Sequence, residues 1–341
     1  MTMLKAGMST AELVKALDVS SEIGVYGGPV ELTNVKDVFG TSGDIWMVLG
    51  NLAPLVGNAK SWVYEYLFER VKEELDAHPG YVVSDGVGTS SVEAMHTHAQ
   101  LHGRRCRFII ADEFELPPHT ASWSDSEFVR AHGLAEWGYV RQMAKERRTR
   151  TDAIYLDQAV WGPRGMARVG HRVVRKLEKL GVRPDASVFV AASASSLWGI
   201  GKILKDRFSS ETTLVIKYQN NIIPDDILKD EAKMKVLARD MLKKYTMRNP
   251  SASTPEVDRK LFPLHVALAS VPVLRVVAHT GKPWVDRMAQ VELEDALRVQ
   301  ALLRAAGYNW TLTTAFALVQ AIQLAQSGKN IVAMVYGKGK D

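Results

Sequence analysis

From residue 44 onward the chain alternates short apolar runs with longer stretches of helical periodicity, and that alternation narrows the fold more than any other feature. Strands are expected at 44–49, 81–84, 105–111, 153–156, 187–192, 213–218, 274–278 and 330–336. Helices are expected between them, at 59–76, 90–102, 127–146, 164–180, 197–208, 226–245, 293–306 and 314–326. Unbroken apolar runs of this length suit strands covered on both faces, and strands separated by helices pair in parallel. The fold class is therefore α/β. With 341 residues, 46% of them hydrophobic, the chain can build two such subdomains. Ahead of the alternation lie a short amphipathic helix at 10–17 and a glycine turn at 24–32 that feeds a short strand. The polar stretch 247–261 reads as an inserted loop.

Composition removes several function classes. Lys and Arg number 43 against 38 Asp and Glu, a formal net charge of +5. The excess is local, as in Lys-Glu-Arg-Arg-Thr-Arg at 145–150, and lacks the stacking aromatics of a nucleic-acid surface. A single cysteine, Cys106, excludes an intramolecular disulfide and fits a reducing compartment. Cys106 sits in an apolar strand and reads as a core residue. No segment resembles a signal peptide or is apolar enough to span a membrane, so a cytoplasmic protein without membrane or nucleic-acid partners is expected. Among the nine histidines, His96 and His98 lie two apart on one helix, and His171, His265 and His279 are scattered. That is poor ligand spacing, and no metal site is expected.

In open α/β sheets, ligands bind beyond the carboxyl ends of strands. Four such ends carry unusual loops. After the first strand comes Asn-Leu-Ala-Pro-Leu-Val-Gly-Asn-Ala-Lys-Ser-Trp at 51–62, with Asn58 placed to cap the next helix and Lys60 in its first turn. A lysine there most commonly points to solvent; partly buried at the positive end of the helix dipole, its pKa would fall and its amine become a better nucleophile. Asp85-Gly86-Val87-Gly88-Thr89-Ser90-Ser91 opens a second helix. Ala191-Ala192-Ser193-Ala194-Ser195-Ser196 opens a third, with Trp198 beyond it reading as core. Small, hydroxyl-rich loops at helix N-termini let backbone N–H groups approach an anion, although plain serine capping makes the same pattern. Thr311-Leu312-Thr313-Thr314 opens the last of the four. Asp85 itself suits either a turn or contact with a substrate amine or hydroxyl.

Taken in order, these loops resemble the fold-type II pyridoxal-phosphate enzymes, of which cysteine synthase (O-acetylserine sulfhydrylase) is the nearest familiar member. Gly27-Gly28-Pro29-Val30-Glu31-Leu32 is similar to the family's opening Gly-x-Thr-Pro-Leu-Val-x-Leu. Residues 53–62 resemble Asn-Pro-x-Gly-Ser-x-Lys-Asp-Arg with one residue inserted. Gly86 to Ser91 lines up with Thr-Ser-Gly-Asn-Thr-Gly, Ala192 to Ser196 with the glycine-rich phosphate loop, and Thr311 to Ala315 with Gly-Ile-Ser-Ser-Gly-Ala. Asp157-Gln158 resembles a segment whose Gln lies near substrate. The likeness spans roughly residues 22–336. The departures are Ser61-Trp62 for Asp-Arg, Thr89 for asparagine, and a phosphate loop without glycines, whose added side chains narrow the room for backbone contact.

The resemblance implies two three-layer α/β/α subdomains with mostly parallel sheets, in the manner of tryptophan synthase β. A smaller subdomain would comprise residues 44–150 and a larger one 1–43 with 151–341. It implies pyridoxal 5′-phosphate as cofactor, Lys60 as Schiff-base lysine and α-proton base, and Ala192, Ser193, Ala194, Ser195 and Ser196 around the phosphate. Thr89 would face the cofactor and Thr313 its pyridine nitrogen. Gly88, Thr89, Ser90, Ser91 and Gln158 would bind the substrate. A neutral hydroxyl at the ring nitrogen favours loss of a β-leaving group over transamination. The implied reaction is β-elimination or β-replacement on an amino acid by way of an aminoacrylate, in a homodimer. Rival readings are a non-catalytic homologue working through protein contacts, a threonine synthase- or dehydratase-like lyase, and a Rossmann-like nucleotide binder. The last needs an acidic ribose partner after the next strand, where Tyr218-Gln219-Asn220 stands instead.

Overall fold

The computed structural model describes residues 30–111, 116–131, 138–190, 195–217, 230, 232–233, 236 and 285–339. The expected helix at 10–17, most of the one at 226–245, the strand at 274–278, the loop 247–261 and the loop positions Ala192, Ser193 and Ala194 lie outside those residues. So do Gly27 and Gly28.

The chain begins with β1 (Leu32–Asn34), α1 (Lys36–Phe39), β2 (Ile45–Leu49), α2 (Lys60–Arg70) and α3 (Lys72–Ala77). It continues through β3 (Val82–Val87), α4 (Thr89–Leu101), β4 (Cys106–Ala111), β5 (Ser126–Ala131), α5 (Gly138–Thr149), β6 (Ala153–Tyr155) and α6 (Gln158–Lys179). Then come β7 (Ala186–Val190), a π-helical turn (Leu197–Gly201), α7 (Lys202–Phe208), β8 (Glu211–Lys217), β9 (Arg287–Val291), α8 (Leu293–Ala305), α9 (Leu312–Gln326) and β10 (Ile331–Val335). Two sheets result. One has the order β1-β2-β10-β7-β8-β9, parallel except for β1; the other has the order β5-β4-β3-β6 and is wholly parallel.

The α/β expectation holds, and the period of two in the strands explains it. Ile45 and Met47 of β2 join Ile331, Ala333 and Val335 of β10 in the core under α8 and α9. Val48, Val332, Met334 and Phe189 face the other way, into a core shared with α2, α4, α6 and the four-stranded sheet. Cys106 and Trp198 are buried in that second core, as their apolar settings foretold. Its helices approach closely through glycine: a Cβ at Gly199 would lie 2.5 Å from both Met166 Cβ and the Pro163 carbonyl.

Three expectations need correction. Residues 127–131 are not the start of a helix but part of β5. Phe128 stacks on Phe108 at 4.9 Å, and Glu127 sits opposite Arg107 in register and pairs with it. Next, α6 begins at Gln158 rather than 164, because Asp157 takes a left-handed turn (φ 59°) and the helix continues through Pro163. Finally, β2 hydrogen-bonds in the six-stranded sheet and β6 in the four-stranded one. Division of the chain at 44 and 150 therefore assigns each of these strands to the wrong sheet. The first strand after the lead-in pairs with the last strand of the chain, which no local pattern reveals.

Candidate active site

Hydrogen bonds link the residues at or just past the carboxyl ends of β2, β3, β6, β7 and β10, and Lys60 stands among them. After β2 the chain makes a 3-10 turn (Gly50–Leu52) and a three-residue turn closed by Val56 N–H on the Pro54 carbonyl at 2.9 Å. Leu55, at its centre, has φ 73°, a strained setting for a leucine. Gly57 then takes φ 63°, which glycine adopts freely. The Asn58 side chain accepts the Lys60 backbone N–H at 2.9 Å, and the Asn58 carbonyl accepts that of Ser61 at 3.0 Å, so the expected cap forms.

The Lys60 amine reaches across to the other sheet. Its Nζ donates to Gln158 Oε1 at 2.5 Å, and the same oxygen accepts the Ser91 hydroxyl at 3.1 Å. Three residues singled out from sequence, on α2, α4 and α6, therefore meet at one atom. Burial pulls the Lys60 pKa down to about 8, an effect partly offset by the Asp85 carboxylate. Gln158 is held in turn by its backbone N–H, which donates to Asp85 Oδ2 at 3.1 Å and Oδ1 at 3.4 Å. Gly88 is the N-cap of α4 and Ser91 N–H returns to its carbonyl at 2.9 Å, while Ser90 on that first turn is exposed. Thr89 opens α4.

The hydroxyls of the larger sheet gather around Tyr336, just past β10. Its N–H donates to Thr314 Oγ1 at 3.1 Å, and its carbonyl accepts Ala59 N–H at 3.1 Å. Its hydroxyl accepts Val190 N–H at 2.9 Å and also hydrogen-bonds the Ser196 side chain. Thr314 is wholly buried and linked to Thr311 at 3.1 Å between hydroxyl oxygens. Thr313 beside it is half-buried. Ser195 is buried, with its Oγ against Gly162 of α6, where a Cβ would lie only 2.5 Å away. Tyr336, Tyr64 and the full role of Asp85 were not foreseen. An isolated tyrosine after an apolar strand carries no pattern, and only the convergence of strand ends exposes it.

The residue after the lysine anchors the loop from below. Ser61 Oγ donates to the Pro54 carbonyl and lies 3.1 Å from His98 Nε2. Burial, with His102 adding, takes the His98 pKa down to about 4, so the ring is neutral. With the serine proton given to Pro54, His98 donates its Nε2–H to Ser61. His96 is occupied elsewhere, stacked on Trp123 at 3.7 Å and 3.2 Å from Asp125. Among the described residues no group of three or more His, Cys, Asp or Glu could hold a metal ion, and no helix is long and apolar enough to cross a membrane.

Two mostly parallel α/β sheets make up the fold, with Lys60 at strand ends that the Gln158 contact brings together. Solved structures share that fold. A hydrogen sulfide-producing enzyme from Fusobacterium nucleatum aligns with a TM-score of 0.67 at 12% identity, over 95% of this chain and 98% of that one. O-acetylserine sulfhydrylase isoform 3 from Entamoeba histolytica aligns at 0.64 and 13%, over 94% of this chain and 88% of its own. A cysteine synthase of the same organism aligns at 0.64 and 13%, over 94% and 89%. No family model matches the sequence, and no curated protein does. At such identities the likeness is one of fold.

Proposed function

We propose that the chain is a pyridoxal-phosphate-dependent lyase or transferase that performs β-elimination or β-replacement on a β-substituted amino acid, as the cysteine synthases do. The observation that carries the reading is the Lys60 amine, which donates to Gln158 Oε1 beside Ser91 at the facing ends of two sheets. The donor set suits the cofactor. An amine with its pKa near about 8 is partly free at neutral pH, as an aldehyde partner requires. Ser196 and the N-terminus of the helical segment after β7 suit a phosphate, with Ala192, Ser193, Ala194 and Ser195 in the same loop. Thr313 at the start of α9 would offer a neutral hydroxyl for the ring nitrogen, and Thr89 at the start of α4 would be the family's cofactor-facing position.

Pyridoxal phosphate, when bound, supplies an electron sink for the substrate α-carbon. The chain supplies the rest. Lys60 Nζ would hold the cofactor and, once displaced by the substrate amine, would take the α-proton, with Gln158 Oε1 positioned to orient that nitrogen. The substrate carboxylate would sit at the α4 N-terminus, formed by Gly88, Thr89, Ser90 and Ser91. The reading includes a homodimer, to be checked by light scattering.

The test is an absorbance spectrum of the purified protein before and after borohydride, with Lys60→Ala alongside. A visible band that reduction abolishes, absent from the variant and traced by peptide mass to Lys60, supports the reading. Protein that takes up no added pyridoxal phosphate sinks it and leaves a non-catalytic homologue acting through protein contacts. Assaying keto-acid release against sulfide consumption separates a dehydratase-like or threonine synthase-like lyase from a synthase.

A further inference from the structure

Asp85 lies in the second half of β3, immediately before the Gly86–Ser91 segment that lines up with the family's substrate motif, and is 1% exposed. A carboxyl so deeply buried is retained against a desolvation penalty of several kcal/mol unless its oxygens are satisfied. They are. Gly86 N–H donates to Oδ1 at 2.8 Å, Gln158 N–H donates at 3.1 and 3.4 Å to the two oxygens, and the Tyr64 hydroxyl donates to Oδ2 at 3.3 Å. Two of these donors lead back to the amine. Gln158 carries the oxygen that Lys60 Nζ donates to, and Tyr64 lies one helical turn beyond Lys60 on α2. The charges facing Asp85 come from three further directions: the Lys60 ammonium from α2, Asp157 from the turn before α6, and Arg147 from α5, itself paired with Asp157.

We propose that Asp85 is a positioning residue for the Lys60 amine: it fixes Gln158, the acceptor of that amine, and supplies the negative charge that favours its ammonium form. Two acids of opposite kind, coupled through one glutamine, then set how much free amine exists at neutral pH. Burial pushes the Asp85 pKa up to about 7, with Asp157 adding and the Gln158 and Gly86 N–H groups opposing. Lys60 is drawn down to about 8 by burial, against the pull of Asp85. The two titrations overlap, and their midpoints belong to the pair. Asp85→Asn keeps the size of the side chain, removes the charge and replaces one accepting oxygen by a donating NH2 group.

The relation concerns the amine itself, so it is tested on the full chain freed of any bound aldehyde with hydroxylamine. Its failure is thus separate from a failure to take up pyridoxal phosphate. Trace acetylation with acetic anhydride across a pH series, read at Lys60 by peptide mass, gives the amine midpoint in wild type and in Asp85→Asn. The expected result is a downward shift of roughly half a pH unit or more, about threefold more free amine at neutral pH. Coupling is reciprocal, so Lys60→Met raises the midpoint of Asp85, followed by NMR of its carboxyl carbon. An unmoved Lys60 midpoint in folded Asp85→Asn overturns the proposal. If that variant does not fold, an unmoved Asp85 midpoint in Lys60→Met does so. A purely structural carboxyl changes stability in both variants and moves neither midpoint.

Discussion

The Tyr336 hydroxyl accepts the Val190 backbone N–H at 2.9 Å and thereby closes the end of β7 with a side chain from the end of β10. Burial raises the phenol pKa to about 12, so the group stays neutral, while its hydrogen bonds with the Val190 N–H and the Ser196 side chain oppose the rise. Tyr336→Phe keeps the ring and removes the oxygen, leaving a buried N–H unpaired. The expected loss is about 1–3 kcal/mol in urea unfolding. Because Ser196 loses its partner as well, affinity for pyridoxal phosphate, read by equilibrium titration, should fall in the same variant. Unchanged affinity would detach Tyr336 from the phosphate loop.

Asp85 and His98 tilt stability against pH in opposite directions. Asp85 ionises near 7 in the fold against an ordinary 3.8, so the unfolded chain gives up its proton first and stability falls as pH rises between those values. His98 titrates near 4 against 6.5, so its contribution is full above about 6.5 and is lost as pH falls toward 4. Each amounts to a few kcal/mol at most, on the order of 3–4. The slopes oppose each other across their shared window. From about pH 4.5 to about pH 6.5, urea midpoints should rise more steeply in Asp85→Asn than in wild type. In His98→Asn they should decline instead. Parallel profiles in all three proteins would refute both assignments.

Sequence periodicity recovered most of the described strands, because parallel strands buried on both faces leave unbroken apolar runs such as Ile45 to Leu49 and Ala186 to Val190. Periodicity failed where a strand is only half-buried. At β5 the half-buried Glu127 and the exposed Arg130 made the segment look helical, and only the pairing with Arg107 and Phe108 decides for a strand. At α6 the expected start at 164 is too late, because the helix begins at Gln158 and runs on through Pro163. Gly165 brings α6 onto α2, where a Cβ would stand 3.0 Å from the Trp62 carbonyl. In the site, Lys60, Ser91 and Gln158 were legible because loop order carried them. Their meeting at one oxygen was not, since it depends on two sheets facing each other. Asp85 was visible as a loop residue, but its burial was not.

The crossing of α6 with the π-helical turn tolerates no added atom. A Cβ at Gly199 would stand 2.5 Å from Met166 Cβ and from the Pro163 carbonyl, and both are too firmly packed to retreat. Gly199→Ala should therefore destabilise by about 1–3 kcal/mol, and more if α6 is displaced. Gly181→Ala is the control for added bulk, because no heavy atom lies within 4 Å there and only its positive φ of 68° resists the change. Thermal melts of the two variants separate steric overlap from backbone strain. Since α6 carries Gln158 at its start, a shift of the helix should also weaken the Lys60 contact.

Gln158 offers the sharpest test of the site, because its backbone and its side chain do different things. The N–H binds Asp85 and survives any substitution but proline, whereas Oε1 is the shared acceptor for Lys60 and Ser91. Gln158→Leu preserves volume and deletes only the second function. The buried Ser91 hydroxyl loses its acceptor, for an expected loss of about 1–2 kcal/mol in urea unfolding. The ammonium form of Lys60 loses a hydrogen bond that favoured it, so the amine midpoint should drop below its value of about 8. Gln158→Glu reverses the sign: a carboxylate at the same distance holds the ammonium and raises the midpoint. If the two variants move the midpoint in the same direction, Oε1 is not what the amine rests on.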